Sequence, residues 1–403
     1  MTKKYTWGTA VPLIGGLSVA GKRATGQDPD FFVSYSPFGE NEKNAKAYFP
    51  NTPHYLLDIP DHGFDVSKHQ DVDFVNAVCP CAGLSLLSSG SPEQRAKMNY
   101  WMLETARFMT EELRPRVFWG ENAPALYSNG GAHVREQLRQ QAEKNGYSFS
   151  IYRTNTMLHG IPQTRKRTFY FFWRDSNAPI FDYYDKPRLA FADYLDTVPD
   201  NVLHHSAADL AEAERHLLTN PYIMFLQHKY NGQGINDMRK WLKETGRNGF
   251  TLLTYLLLTK QLEEARDWMK ANGHDKHYRE AERVINKVNT KGGFWDGSFP
   301  IYQSTEVMAT LISRTLYAIH PTKDRVLTTR ECMHMMGLPH DFELVTGATN
   351  NICQNVPVCT GTDMANEVLK FLDGKANISN SNFLMQCNLN KKIDVQKSTL
   401  LSF

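Results

Sequence analysis

Asp73-Phe74-Val75-Asn76-Ala77-Val78-Cys79-Pro80-Cys81-Ala82-Gly83-Leu84-Ser85 is the stretch whose reading decides the fold. Asp73 to Val78 read as a short apolar, β-branched strand, and Cys79-Pro80 ends it in a turn that leads into small residues. Upstream, Phe31 to Tyr35 and Tyr55 to Ile59 read as two more strands, with a helix over Glu42 to Tyr48 between them. Downstream, Ser91-Pro92-Glu93 is a good helix start, and the pattern predicts a helix from Pro92 to Leu113. Arg116 to Trp119 follows as a strand, Val134 to Asn145 as an amphipathic helix, and Phe149 to Tyr152 and Thr168 to Trp173 as two further strands. Such alternation predicts an α/β fold with a mostly parallel, doubly wound sheet. Ligands gather at the carboxyl ends of strands in such sheets, and Glu40, Asp58, Cys81 and Glu121 all fall just past predicted strand ends.

A chain of 403 residues has room for two cores, and 41% hydrophobic with 22% charged residues is ordinary globular composition. No apolar run is long enough to span a bilayer, and the first residues lack the apolar core of a secretion signal, so a cytoplasmic protein of a bacterial or virus-infected cell is expected. The six cysteines are scattered without paired knuckles, which argues against a disulfide framework and against a zinc site; no metal is expected. A net charge of +2 is silent about nucleic acid, so any DNA surface has to be a local cluster. After Trp173 the chain turns to charged helices, Gln261 to Asn272 and Tyr278 to Val288, and Asn289 to Gly293 reads as a flexible basic loop. Asn366 to Phe371 reads as a helix returning to the first domain, and the Ser- and Asn-rich tail is expected to be poorly ordered.

The chemistry-bearing runs are Pro80-Cys81 with Ser85 four residues on, Glu121-Asn122-Ala123, Gly160-Ile161-Pro162-Gln163-Thr164-Arg165-Lys166-Arg167, and Arg325 to Glu331 continuing to Gly337-Leu338-Pro339-His340-Asp341-Phe342. A cysteine held out at a strand end can act as a nucleophile, although an isolated one is often a small buried hydrophobe. A carboxyl group behind a hydrophobic strand can be kept partly protonated, and an arginine fork can hold a carbonyl or a carboxylate. Together and in this order, these runs resemble the DNA cytosine-5 methyltransferase family.

The resemblance implies a Rossmann-like class I methyltransferase domain over residues 1–175 and a smaller target-recognition domain with hinge over 176–349. Residues 350–375 would then return to the catalytic domain, and 376–403 would form the tail. It implies methyl transfer from S-adenosylmethionine to carbon 5 of cytosine in double-stranded DNA, by a monomer, on a base swung out of the helix. Cys81 would add to carbon 6, with Glu121, Arg165 and Arg167 stabilising the activated ring; Cys79 stands where the family usually has proline. The donor is implied at Val11, Ile14, Gly15, Gly16, Leu17, Glu40, Asp58, Ile59, Pro80, Asn355 and Val356. Here the pattern departs from Phe-x-Gly-x-Gly-Gly: Val11 replaces the aromatic, Leu13 the first glycine, and Cys353 a later glycine. A modified donor, a DNA-binding relative without catalysis and an RNA methyltransferase are the alternatives. DNA contacts are implied at Ser85 and Gln163, and basic residues at Arg135, Arg139, Lys144, Arg239, Lys240 and Lys291 are candidates for phosphates. Arg330 and Glu331 read as structural. A restriction-modification role is compatible with this reading.

Overall fold

The computed structural model describes residues 4–79, 83–84, 99–294, 299–312, 317–346, 350–389 and 394–397. Nine strands form the main sheet: β1 (Trp7–Ala10), β2 (Phe31–Ser34), β3 (His54–Leu56), β4 (Phe74–Ala77), β5 (Val117–Asn122), β6 (Ser148–Asn155), β7 (Lys166–Trp173), β8 (Phe383–Asn388) and β9 (Asp394–Lys397). Their spatial order is β9-β8-β6-β7-β5-β4-β1-β2-β3. β3, β2, β1, β4 and β5 run parallel, while β7 is antiparallel to both β5 and β6.

The sheet is doubly wound because its strands are apolar on both faces. Phe118, Tyr170 and Phe172 share one core with Met102, Ala106, Val134 and Leu138, from helices Tyr100–Arg107 and Ala132–Lys144. Trp7, Trp119, Phe171 and Trp173 share the opposite core with Leu17 of helix Gly16–Thr25 and Met364 and Val368 of helix Val358–Leu372. Those last two helices pack closely: a Cβ on Gly361 would lie 2.8 Å from Leu17 Cδ2 and 2.9 Å from Ala20 Cβ. The helix predicted over Asn366 to Phe371 is thus the second half of a longer element that brings the chain back to its start.

Six helices between Ala207 and Lys291 enclose a separate core with Leu217, Leu226, Met238, Tyr255 and Met269. Residues Met308 and Ala309 return from it to pair with Gln163 and Thr164, beside the carboxyl end of the main sheet.

Three sequence expectations differ from the structure. β1 was not predicted; its four residues are all buried, so Trp-Gly-Thr-Ala shows no alternation to read. The expected basic loop after Asn289 is helical through Lys291, because helix Asp275–Lys291 ends only at Gly292, whose φ is 70°. The tail expected to lack order contributes β8, paired along its full length with β6. Among the described residues no helix is long and apolar enough to cross a membrane, and no group of three or more His, Cys, Asp or Glu is placed to hold a metal ion.

Candidate active site

β5 and β7 place the first pair of groups. Their antiparallel register sets Glu121 opposite Phe169 and Asn122 opposite Thr168, which brings Arg167 to the carboxyl end of β5. Arg167 Nε lies 2.6 Å from Glu121 Oε1, with the carboxylate side chain 6% exposed. Burial pushes the Glu121 carboxyl above its ordinary range, and the charges of Arg167 and Arg165 pull back only part of that rise. Asn122 is buried beside it. Its Oδ1 accepts from Ala123 N at 2.8 Å and its Nδ2 donates to Cys79 O at 3.5 Å, so the Glu-Asn pair is tied to the strand end that leads into Pro80 and Cys81. Pro80, Cys81 and Ser85 lie outside the described residues. Cys79 is buried, and burial pushes its thiol up to about 11, which keeps it protonated and unreactive.

The three side chains of the Gln-x-Arg-x-Arg run take different tasks. Consecutive tight turns, Gln163 N to Ile161 O at 2.7 Å and Arg165 N to Gln163 O at 3.0 Å, break the strand just before β7. Gln163, expected at DNA, is fully buried: Nε2 donates to Met335 O at 2.8 Å and Oε1 accepts from Leu311 N at 3.0 Å. Both ends of its amide are engaged inside the protein, so it braces the segment around Leu311. Arg165, expected at the base or a carboxylate, is 1% exposed and donates to the main-chain carbonyls of Leu311 (2.9 Å), Cys353 (2.6 Å) and Asn355 (3.0 Å). The guanidinium that meets Glu121 is that of Arg167.

Arg165 thereby fixes the segment that faces the glycine turn. Gly15 adopts φ 108° and Gly16 opens the first helix. A Cβ on Gly16 would sit 1.8 Å from Asn355 Oδ1 and 2.6 Å from Val356 O, so only glycine fits there. Three of the residues assigned to the donor, Gly16, Asn355 and Val356, are thus in direct contact. Val11, Ile14 and Leu17 are buried in the core, so any contact they make to a ligand in this turn is through the main chain. Leu13, at the place of the family's first glycine, has φ 48°, as does Val11. The turn keeps a left-handed backbone without the residue that adopts it freely, at a cost of about 1 kcal/mol per position.

The other end of the expected donor site is more open. Asp58 Oδ1 accepts from Ser36 N at 2.8 Å and from Ser36 Oγ at 3.1 Å, and Ile59 is 41% exposed. Glu40 stands in solvent, paired with Lys43 at 2.8 Å. The buried carboxylate nearby is Glu42, which sequence reading passed over. It is held by His54 Nε2 at 2.8 Å and by the Ser34 hydroxyl, and its signal was a histidine at the start of β3.

Most of the cations proposed for phosphates are committed within the protein. Arg135 donates to the carbonyls of Leu126, Tyr127 and Ser128; Arg139 pairs with Glu136 and Glu143, and Lys144 with Glu111. Arg239 is tied to Asp324 and to the carbonyls of His320 and Lys323. Lys240 and Lys291 are exposed. The cationic surface beside Glu121 comes from elsewhere. A cavity of about 690 Å³ opens at Arg167 and is lined also by Lys166 and Arg188, by the apolar Pro124, Met157, Leu158 and Leu389, and by Asn155, with Asp185 the one acid among the described lining residues. Lys166 carried a signal, lying inside the Arg165-Lys166-Arg167 run; Arg188 and Leu389 carried none.

A family model described as C-5 cytosine-specific DNA methylase matches residues 14–370. The chain belongs to that family. It is similar to DNA (cytosine-5)-methyltransferase 1A of rice, 23% identical over 321 residues, covering 70% of this chain and 20% of that protein. It also resembles the type II methyltransferase M1.HphI of Haemophilus parahaemolyticus, 26% identical over 146 residues, covering 36% of this chain and 37% of that one. The chain therefore spans about a fifth of the length of the plant relatives it matches. Among solved structures, the methyltransferase EhMeth of Entamoeba histolytica superposes with a TM-score of 0.55 at 12% identity, over 92% of this chain and 99% of that chain. The S. pombe Dnmt2 methyltransferase does so at 0.51 and 11%, over 92% and 100%. At such identities these two establish the fold, a class I methyltransferase sheet.

Members of this family use S-adenosylmethionine. The residues here fit its amino-acid end. Asn355 is 2% exposed and its Nδ2 is a buried donor with no partner among the described residues, beside a glycine cradle that a Cβ would fill. An unmet amide donor there suits a carboxylate.

Proposed function

We propose that this protein methylates carbon 5 of cytosine in duplex DNA, with Cys81 as nucleophile and Glu121 with Arg167 as the polar clamp on the ring. The observation that carries this reading is a carboxyl group held above its ordinary range and paired with Arg167, which itself lines a cavity shared with Lys166 and Arg188 where the sheet's strands end. The cavity would take the extruded nucleotide, with Lys166 and Arg188 against its flanking phosphates.

The Cys81 thiolate forms a bond to carbon 6, and the pair of electrons from the ring double bond moves to carbon 5. Glu121, whose carboxyl burial shifts toward the protonated form, gives a proton or hydrogen bond to the ring nitrogen and holds the developing charge. Arg167 orients that carboxyl and offers its remaining donors to the base carbonyl. When bound, S-adenosylmethionine supplies a methyl group carrying positive character; Gly16 and Asn355 would hold its amino-acid end, and Asp58 would accept from its adenine amino group. The electron pair at carbon 5 would take that methyl group; the cycle closes when a solvent base accepts the carbon-5 proton, the C–H electron pair re-forms the ring double bond, the carbon–sulfur bond breaks so that Cys81 leaves as thiolate, and the ring nitrogen returns its proton to Glu121. Arg165 is assigned a positioning role, because it donates to the carbonyls of Cys353 and Asn355 at the donor end. The helical unit around residues 207–291 is assigned target recognition.

Mass spectrometry of nucleosides from duplex DNA treated with protein and S-adenosylmethionine tests this. Cytosine heavier by one methyl group is expected from the wild-type protein and none from Cys81→Ser. Undiminished product from that variant would remove the nucleophile assignment, and a different added mass would replace the donor.

A further inference from the structure

The family match stops at residue 370, but the sheet continues. β8 lies parallel to β6, in register from Phe383 opposite Phe149 to Asn388 opposite Thr154. A parallel strand delivers its carboxyl end to the same side as its neighbour, which is the side where ligands gather in such sheets. That end is firmly held. Gln386, 1% exposed, accepts from Phe181 N at 3.0 Å through Oε1. Asn388 is fully buried and donates through Nδ2 to the Tyr152 hydroxyl at 3.0 Å and to Tyr184 O at 3.2 Å. The next residue, Leu389, lines the cavity that Arg167 and Lys166 line.

Resting on the reading of that cavity as the target-nucleotide site, we propose that β8 is a working part of it and that Leu389 is a determinant of how the target nucleotide is held. Its side chain joins Pro124, Met157 and Leu158 as the apolar part of the lining, which suits the C–H edge of a sugar or base. Lys166, Arg167 and Arg188 take the charged and polar parts of the same nucleotide. Grip on DNA therefore depends on a strand that lies outside the family's shared segment.

The test is steady-state kinetics of full-length Leu389→Trp and Leu389→Ala. Filling the cavity with tryptophan is expected to raise KM for duplex DNA by about tenfold or more, and truncation to alanine by about two- to threefold, with KM for S-adenosylmethionine unmoved. An unchanged KM for DNA in Leu389→Trp would overturn the proposal. So would equal losses toward DNA and donor, since those would mean that β8 only supports the fold. Should the tryptophan variant not fold, hydrogen exchange of the wild-type protein decides: slower exchange of amides 383–389 on adding duplex DNA supports the proposal, and unchanged exchange overturns it. Failure of the wild-type protein to modify DNA is a separate outcome, seen before any variant is made, and it counts against the cavity assignment itself.

Discussion

Glu121 and Glu331 are both buried glutamates paired with an arginine, yet their carboxyls are displaced in opposite directions. Glu331, 1% exposed, receives Arg325 Nη1 at 2.6 Å and Nη2 at 2.7 Å, and Thr328 N at 2.8 Å. Burial alone would raise its carboxyl, but the Arg325 hydrogen bonds and charge outweigh that and hold it below the ordinary range. It closes a capping box on helix Thr329–His334, so its work is to fix a helix start. Glu121 meets one arginine nitrogen, and desolvation wins. Saturating a buried carboxylate with donors makes it a staple; leaving it short of donors keeps it able to carry a proton.

Removing each carboxyl's proton chemistry or its partner should separate these roles. Glu121→Gln is expected to lower kcat by about 10²- to 10⁴-fold while leaving thermal stability unchanged or higher, since a neutral amide is cheaper to bury than a charge. Retained kcat in single-turnover assays would erase the distinction. Arg325→Met should have little direct effect on chemistry but destabilise the fold by about 3–5 kcal/mol, because a buried charge is left unpaired. Denaturant unfolding reads this, and a loss below about 1 kcal/mol would put Glu331 among ordinary surface pairs.

The finest test is the sign of the pH dependence. Glu331 has a lowered folded-state pKa, so its stabilisation is present above its ordinary value of 4.5 and is lost as pH falls through the lowered one. Glu121 has a raised value, so its contribution is complete below 4.5 and is lost as pH rises through the raised one. Unfolding free energies of the wild type minus Glu331→Gln and minus Glu121→Gln should therefore slope in opposite directions with pH, by at most about 1.4 kcal/mol per pH unit. Parallel slopes would show that the two sites share one electrostatic character.

Much of the sheet was legible because Val, Phe and Trp in short runs bounded by turns leave few other places for a chain to go. Strands around Phe31, Phe74, Val117, Phe149 and Thr168 all form, within a few residues of expectation. What escaped lacked a local signal. β1 is buried at every position, and β8 sits in a stretch whose Asn and Ser content reads as tail. The basic helix Ala132–Lys144 looked available to phosphates because sequence shows charges but not the carbonyls and carboxylates that occupy them. Gln163 misled for a similar reason: a polar residue in a basic run reads as surface until both ends of its amide are found engaged inside.

By itself the sequence determined the motif set, the alternation that winds a parallel sheet, and the place of Glu121 at the end of its strand, since residue type and spacing govern strands, turns and ionisable groups locally. Only the tertiary structure decided which arginine serves which partner. A kink of two tight turns sends Arg165 to the carbonyls of Cys353 and Asn355 and leaves Arg167 facing Glu121. Contacts across nearly 190 residues depend on how packed elements approach, and neither spacing nor composition along the chain records that approach.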